Sequence, residues 1–382
     1  MRRIALITTS RAEYGIQSRL IRMLQDDCDV DFRLVVSGSH LSEKHGMTWR
    51  HIEADGIAIA EKVDIGIEDT NSVAHIMATA LEKFSDVLAG MKPDLVVLLG
   101  DRYEMLSAAL ACTINNIPIA HIHGGETTMG AIDEVFRHSI TKASYLHFTS
   151  CEEYRRRVIQ LGEHPSRVFN VGSLGVENCR KFKLMAKREL EDSLGFKLGR
   201  RNVVVTFHPV TFERGSAVRQ VDELLEALDR IQDAEVVITH PNADAEGDAI
   251  AERFKDFAER CQNVHLFASL GACRYLSLVK YCDAVIGNSS SGIIEVPSFG
   301  VPTVNIGNRQ KGRIMASSVI CCEPVRDKIH AAIKKAFSPR FVAQIKDIKN
   351  PYDKRGTVAA ILHHLKSCRL DGACEKKFHD IV

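Results

Sequence analysis

The chain has 382 residues, and its 50 Lys and Arg nearly balance 49 Asp and Glu, a formal net charge of +1. A 45% hydrophobic and 26% charged content suits a folded core and excludes a disordered chain. Near-neutrality removes the electrostatic footprint of a dedicated nucleic-acid binder, and with no run of about 18 apolar residues no membrane helix is expected. Short apolar runs rich in Ile, Val and Leu fall at 4–10, 32–38, 94–100, 118–124, 145–150 and 168–172. A second series falls at 202–209, 235–241, 264–267, 284–290 and 302–307. These runs are continuous, as in strands of a parallel sheet covered on both faces. Helix-period segments lie between them, at 15–26, 71–91, 104–115, 217–232 and 246–261. The alternation predicts an α/β chain of βαβ units and doubly wound sheets. A charged stretch at 180–202 separates the two series, which predicts two α/β domains in tandem with a cleft between their strand ends. The helix-like segment after 356 leads into a polar tail expected to fray.

Eleven cysteines, with no CxxC pair and no zinc-type spacing, read as free thiols in a reducing cytoplasm. The apolar run behind the basic start MRR is too short for a signal peptide. A cytoplasmic protein is therefore expected, with neither nucleic acid nor membrane as partner.

In open α/β sheets, ligands bind past the carboxyl ends of the strands, so the polar residues after each run are the candidates. Arg11, at a helix start after the first strand, reads as a fork for a phosphate or carboxylate, or as a solvated arginine near a cap. Asp101 follows the run 94–100 and reads either as a carboxylate facing the cleft or as the cap of the next helix. His121, His123, the glycine pair 124–125 and Glu126 close the following run, and Asp133 and Glu134 open a helix that carries Arg137 and His138. Asp101, Glu126, Asp133 and Glu134 thus come from neighbouring strand ends, where convergence would drive their pKa values apart and divide acid from base roles. His121, His123 and Glu126 could instead hold zinc, but nothing supplies an HExxH-type spacing, and no metal is expected.

In the second series, the strand 284–287 runs into Asn288, Ser289, Ser290, Ser291 and Gly292. Main-chain N–H groups and hydroxyls at a helix start there predict a pyrophosphate site, with Glu295 one turn on to receive ribose hydroxyls. The bland alternative is a serine cap; the pattern is neither GxGxxG nor a Walker loop. His208 and His240 each precede a proline at a strand end and read as phosphate donors or acids, or equally as satisfied buried histidines. Asn242 and Arg309 complete the candidate nucleotide contacts.

The stretches TTSRAEYG, LLGDRYEML, HIHGGETT with GAIDEVFRHSITK, TFHP, GNSSSGIIE and NIGNRQKGR, in this order, resemble the hydrolysing UDP-N-acetylglucosamine 2-epimerases over about residues 1–360. The resemblance implies a GT-B-like fold: two Rossmann-like domains facing a central cleft, with the C-terminal helix crossing back to the first. On that basis the expected division is 1–178 with the catalytic carboxylates, 179–357 for the nucleotide, and 358–382 for the returning helix and tail. It implies a nucleotide-sugar substrate, no cofactor, and conversion of UDP-N-acetylglucosamine and water to UDP and N-acetylmannosamine for sialic-acid synthesis. Elimination to a 2-acetamidoglucal would precede hydration. Asp101 matches the first catalytic aspartate, Asp133 the third acid, His208 the strand-end histidine, and Ser289, Ser290 and Glu295 the nucleotide turn. Some relatives carry a glutamate where this chain has His123, so Glu126 or a neutral His123 takes that role here. The same stretches also resemble enzymes acting on UDP- or GDP-linked 2,4-diacetamido-2,4,6-trideoxyhexose on the way to legionaminic acid. A GT-B glycosyltransferase, a non-catalytic sensor and a non-hydrolysing epimerase are the rivals. Apolar positions on the first-domain helices predict a homo-oligomer, a dimer or tetramer.

Overall fold

The computed structural model describes residues 1–381 except 71, 130, 211, 212, 214 and 242–245. The chain divides into two compact units: Met1–Glu126, Asp133–Glu177 and Lys354–Val382 form the first, and Thr127–Ile132 with Asn178–Asp353 the second.

Strands β1 (Arg2–Thr8), β2 (Val30–Ser37), β3 (Ile59–Val63), β4 (Leu95–Leu99), β5 (Ile119–Ile122), β6 (Leu146–Thr149) and β7 (Val168–Asn170) belong to the first unit. Among the described residues they form one parallel sheet in the order β3-β2-β1-β4-β5-β6-β7. Alternate residues of β1 serve opposite layers, which is why its run is apolar throughout. Ile4 and Leu6 pack with Leu20, Leu24, Ile361 and Leu365, whereas Ala5 and Ile7 pack with Ala80, Phe84, Leu88 and Ala108. Each such Leu, Ile or Phe contributes about 1.5–3 kcal/mol of burial.

The second unit holds β8 (Arg201–Thr206), β9 (Ala234–Thr239), β10 (Val264–Phe267), β11 (Ala284–Gly287), β12 (Thr303–Ile306) and β13 (Val319–Cys322). Among the described residues these form a second parallel sheet, in the order β10-β9-β8-β11-β12-β13. Val203 and Val205 face Val221, Leu224, Ile250 and Phe254; Val204 faces Leu190, Leu194 and Val279. In both sheets the chain lays strands outward one way, then returns to the middle and continues the other way. The reversal falls between β1 and β4, and between β8 and β11, and crevices for ligands open at such points.

Two strands escape the sequence pattern, and both are sheet edges. β3 is half-exposed with Glu61 and Lys62 on it, and β13 has four residues. An edge strand needs one neighbour only, and charge there discourages pairing with other chains. Two further differences concern the chain's course. Residues 127–132, expected in the first domain, cluster with the second unit, where Arg313 Nε donates to the Thr127 carbonyl at 3.0 Å. The tail expected to fray is tied down: Lys376 Nζ reaches Glu163 Oε1 at 2.8 Å and the Ser144 carbonyl at 2.6 Å, and His379 N donates to the Gly162 carbonyl.

Candidate active site

At the end of β1, Ser10 caps the helix Arg11–Gln25 by accepting from Glu13 N at 3.4 Å. Arg11 is half-buried at its start, and burial pulls its pKa below the usual arginine range. The Glu13 side chain turns back to Thr9, Oε2 accepting from Thr9 N at 2.8 Å and Thr9 Oγ1 at 2.9 Å. Burial pushes the Glu13 pKa up to about 7; the Arg102 charge opposes this and the Glu104 charge adds to it.

The neighbouring strand end, after β4, bears on the capping role read for Asp101. The cap position of the helix Tyr103–Ile114 is Arg102, so Asp101 is not its cap. The Arg102 side chain forks onto buried Glu104, Nη2 at 2.9 Å and Nε at 3.1 Å. Asp101 instead accepts from Arg137 Nη2. Arg137, on the helix Asp133–Ala143, is only 2% exposed. Its Nη1 donates to the His123 carbonyl at 2.9 Å and lies 3.9 Å from Glu126 Oε2. One guanidinium therefore gathers Asp101, His123 and Glu126, which leave two different strand ends.

Glu126 is 1% exposed and accepts from Ser150 Oγ at 2.7 Å; its Oε1 lies 3.5 Å from His123 Nδ1. His123 sits at φ +65°, in the left-handed region that a side chain enters at a cost of about 1–3 kcal/mol. Its own amide is held by the Phe148 carbonyl at 2.8 Å. His121 plays a different part. Its Nε2 meets the Gly100 carbonyl at 2.8 Å and its Nδ1 meets Thr141 Oγ1 at 3.0 Å, so both nitrogens are engaged within the protein. Burial lowers its pKa to about 3, which makes it a neutral brace between the ends of β4 and β5. Asp133 and Glu134 lie in the first turn of the Arg137 helix, where Glu134 Oε1 lies 3.3 Å from His138 Nε2.

In the second unit the corresponding crevice is framed by the ends of β8 and β11. Gly287 has φ +132°, and a Cβ there would run into the Thr206 carbonyl. Asn288, fully buried, uses its amide on the other strand end: Oδ1 accepts from His208 N at 2.7 Å, and Nδ2 donates to the His208 carbonyl at 2.8 Å. The Asn288 carbonyl receives Gln310 Nε2 at 2.8 Å and Arg309 Nη1 at 3.2 Å. The helix expected after the serines is brief, Ser291–Ile294, followed by a 3-10 turn at Val296–Phe299. The amides of Gly292 and Ile293, expected free, donate to the carbonyls of Ser289 and Ser290 at 3.2 and 3.0 Å. Ser289 and Ser290 are half-buried, Ser289 Oγ accepting from Ser291 N at 3.4 Å, while Ser291 Oγ accepts from Tyr275 at 3.0 Å. At Gly292 a Cβ would stand 2.7 Å from Thr303 Cγ2, so the turn lies flat against β12. Glu295 and His208 are buried. His240 is partly exposed, and Asn242 lies outside the described residues.

Sequence reasoning expected Asp101, Glu126, Asp133 and Glu134 to converge, with His123 as an alternative to Glu126, but did not see that Arg137 gathers Asp101, Glu126 and the His123 carbonyl. It also missed Glu13, Glu104 and the Asn288 clamp. The spacing Ser10-x-x-Glu13 reads as an ordinary capping box, which disguises a glutamate that bonds Thr9 instead. All eleven cysteines are free. Among the described residues the only group close enough to share a metal ion is Asp27, Cys28 and Asp29, away from both crevices, and Lys366 already bridges its two carboxylates. No helix of the described residues is long and apolar enough to cross a membrane.

Comparison with known proteins gives a consistent picture. Residues 22–366 match the family described as UDP-N-acetylglucosamine 2-epimerase. The chain is 42% identical to the polysialic acid biosynthesis protein P7 of Escherichia coli, over 100% of this chain and 98% of that one. It is 41% identical to the hydrolysing GDP/UDP-N,N'-diacetylbacillosamine 2-epimerase of Campylobacter jejuni, over 84% of each. Among solved structures, the UDP-GlcNAc 2-epimerase of Neisseria meningitidis bound to UDP-GlcNAc superposes with a TM-score of 0.81 at 18% identity, covering 96% of this chain and 99% of that one. That likeness shows a shared fold.

Proposed function

The chain belongs to the UDP-N-acetylglucosamine 2-epimerase family, and on that premise we propose that it is a hydrolysing 2-epimerase, which releases the nucleotide and the inverted sugar as separate products. UDP-N-acetylglucosamine is the substrate we assign first. The observation that carries the reading is the Arg137 hub, which bonds Asp101 and the His123 carbonyl and stands beside Glu126 at the ends of β4 and β5.

In the reaction, a base takes the proton from carbon 2 while the bond from carbon 1 to the phosphate oxygen breaks, giving UDP and a 2-acetamidoglucal. Water then adds across the double bond, its hydroxyl to carbon 1 and a proton to the opposite face of carbon 2. We assign the first proton to His123 Nε2, with Glu126 beside Nδ1 orienting the ring. Asp101, whose carboxylate Arg137 fixes, stabilises the positive charge that grows at carbon 1 and serves as the partner acid or base; Asp133 and Glu134 line the same helix start. Ser289, Ser290, Arg309 and Arg11 take up the negative charge of the departing diphosphate, with Glu295 for the ribose and His208 held by Asn288. On this reading the first unit carries the sugar chemistry together with Arg11, and the second unit the other nucleotide contacts.

A second substrate, a UDP- or GDP-linked 2,4-diacetamido-2,4,6-trideoxyglucose, is favoured by the 41% identity to the Campylobacter enzyme named for it. Eleven free cysteines support a cytoplasmic setting. Exposed Leu110, Ile114 and Val135 support a homo-oligomer formed through first-unit helices.

The test is incubation with each nucleotide sugar in deuterium oxide, without acceptor, followed by proton NMR. Free N-acetylmannosamine carrying deuterium at carbon 2 is the expected product. Retained hydrogen at carbon 2 would overturn the elimination, a nucleotide-linked product would make the enzyme non-hydrolysing, and turnover of the diacetamido sugar alone would move the assignment to the second substrate.

A further inference from the structure

We infer that Glu13 and Glu104, acting through Arg102, are positioning residues for Asp101, an inference that rests on the role given to Asp101 above. Asp101 stands between two anchors. On one side is its own bond to Arg137; on the other is its peptide neighbour Arg102, whose side chain is forked onto Glu104 at 2.9–3.3 Å. Glu104 is 1% exposed, so this fork is fixed against a wall that does not move with solvent.

Glu13 reaches the same place from the adjacent strand end. β1 and β4 are neighbours in the sheet, and the Glu13 carboxylate, 5% exposed, interacts electrostatically with both Arg102 and Glu104. Those are the charged groups that face it, both from the start of the Tyr103–Ile114 helix; on its own side Thr9 N and Thr9 Oγ1 hold Oε2. Its Oε1 has no hydrogen bond among the described residues. Glu104 is thus bonded to the guanidinium, and Glu13 acts on it through its charge. An ionised Glu13 adds its attraction for Arg102 to the fork on Glu104. With Glu13 protonated only Glu104 holds it, and the start of the helix loosens beside Asp101. Because burial brings Glu13 to titrate near neutrality, the change falls within the working pH range.

The sign follows from this arrangement. Wild-type kcat rises as pH increases through about 7, when Glu13 loses its proton. Glu13→Gln, which mimics the protonated form while keeping an acceptor for Thr9, lowers kcat at pH 8 by about 5–10-fold and flattens that limb, with KM within about twofold. Glu13→Asp recovers part of the loss. Glu104→Gln lowers kcat in the same way from an independent position, which keeps the test open should one variant fold poorly. Amide hydrogen exchange at residues 100–105 quickens by about tenfold in Glu13→Gln, with the global thermal midpoint little changed. Wild-type kcat, an intact pH limb and unchanged exchange at 100–105 in Glu13→Gln and Glu104→Gln would overturn the inference. If the wild-type protein releases no nucleotide from any of the sugars above, the functional reading fails, and hydrogen exchange still decides the positioning role.

Discussion

Asn288 grips the main chain of His208 at both of its polar atoms, 2.7 Å on the N–H and 2.8 Å on the carbonyl. A side-chain amide, with a donor and an acceptor side by side, can imitate a strand's paired bonds in this way. It extends the β8–β11 pairing one residue past the sheet, where the strands would otherwise part.

Removing that grip has a defined cost. Asn288→Ala removes the side-chain partner of two buried main-chain groups, at about 1–3 kcal/mol each, and lowers the thermal midpoint by about 3–10 °C. Steady-state kinetics should show KM for the nucleotide sugar rising more than kcat falls. A reversed split would take the clamp out of nucleotide binding.

Asp101→Asn keeps an acceptor for Arg137 and removes the carboxylate's basicity. We expect kcat to fall by about 10²-fold or more, with the thermal midpoint held within a few degrees. Release of nucleotide at a near-normal rate would return Asp101 to a purely structural place beside Arg137.

His123 and Glu126 separate by degree. His123→Asn, a residue that tolerates positive φ, should cost about 10²-fold or more in kcat and abolish deuterium exchange at carbon 2. Glu126→Gln retains an acceptor for Ser150 and loses only the orienting charge, so a smaller loss of about tenfold is expected. The opposite order of losses would make Glu126 the base.

The docked tail gives a prediction in acid. Burial alone would raise the Glu163 pKa, but bonds from His147, Lys142 and Lys376 outweigh it and bring it down to about 2. A carboxylate depressed in this way stabilises the fold fully above its unfolded pKa of 4.5 and loses that contribution as pH falls toward 2. Urea titrations between pH 5 and 2.5 should show wild-type stability falling more steeply than that of Glu163→Gln. Parallel slopes would mean that Glu163 is not the group that titrates.

Most of the architecture was legible because its cause is local. Strands buried on both faces must be apolar throughout, so β1, β4, β8 and β11 announce themselves, and the residues that follow them mark the crevices. Apart from β10, the observed strands end sooner than the apolar runs, because the last residues of those runs already belong to the turns. What stayed hidden depends on partners distant in sequence. Arg137 becomes a hub only once helix Asp133–Ala143 lies beside the ends of β4 and β5. Glu13 looks like a capping residue until β1 and β4 are neighbours. Lys376 sits in an unremarkable polar stretch, and nothing in that stretch points to Glu163, more than two hundred residues earlier. β3 and β13, edges with one neighbour each, carry too little apolar signal to be found by pattern.

The first unit is assembled from segments that lie before and after the second unit in the order of synthesis. Val358, Ile361 and Leu365 complete the layer begun by Ile4 and Leu6, and Val358 N closes onto Glu177 Oε2 at 2.7 Å. Until those residues are made, a nascent chain carries an uncovered apolar sheet face while the whole second unit is translated. The second unit, nearly continuous in sequence, has no such wait. Chains stalled before those residues should therefore engage chaperones through the sheet of the first unit, even though that sheet is synthesised before the second unit.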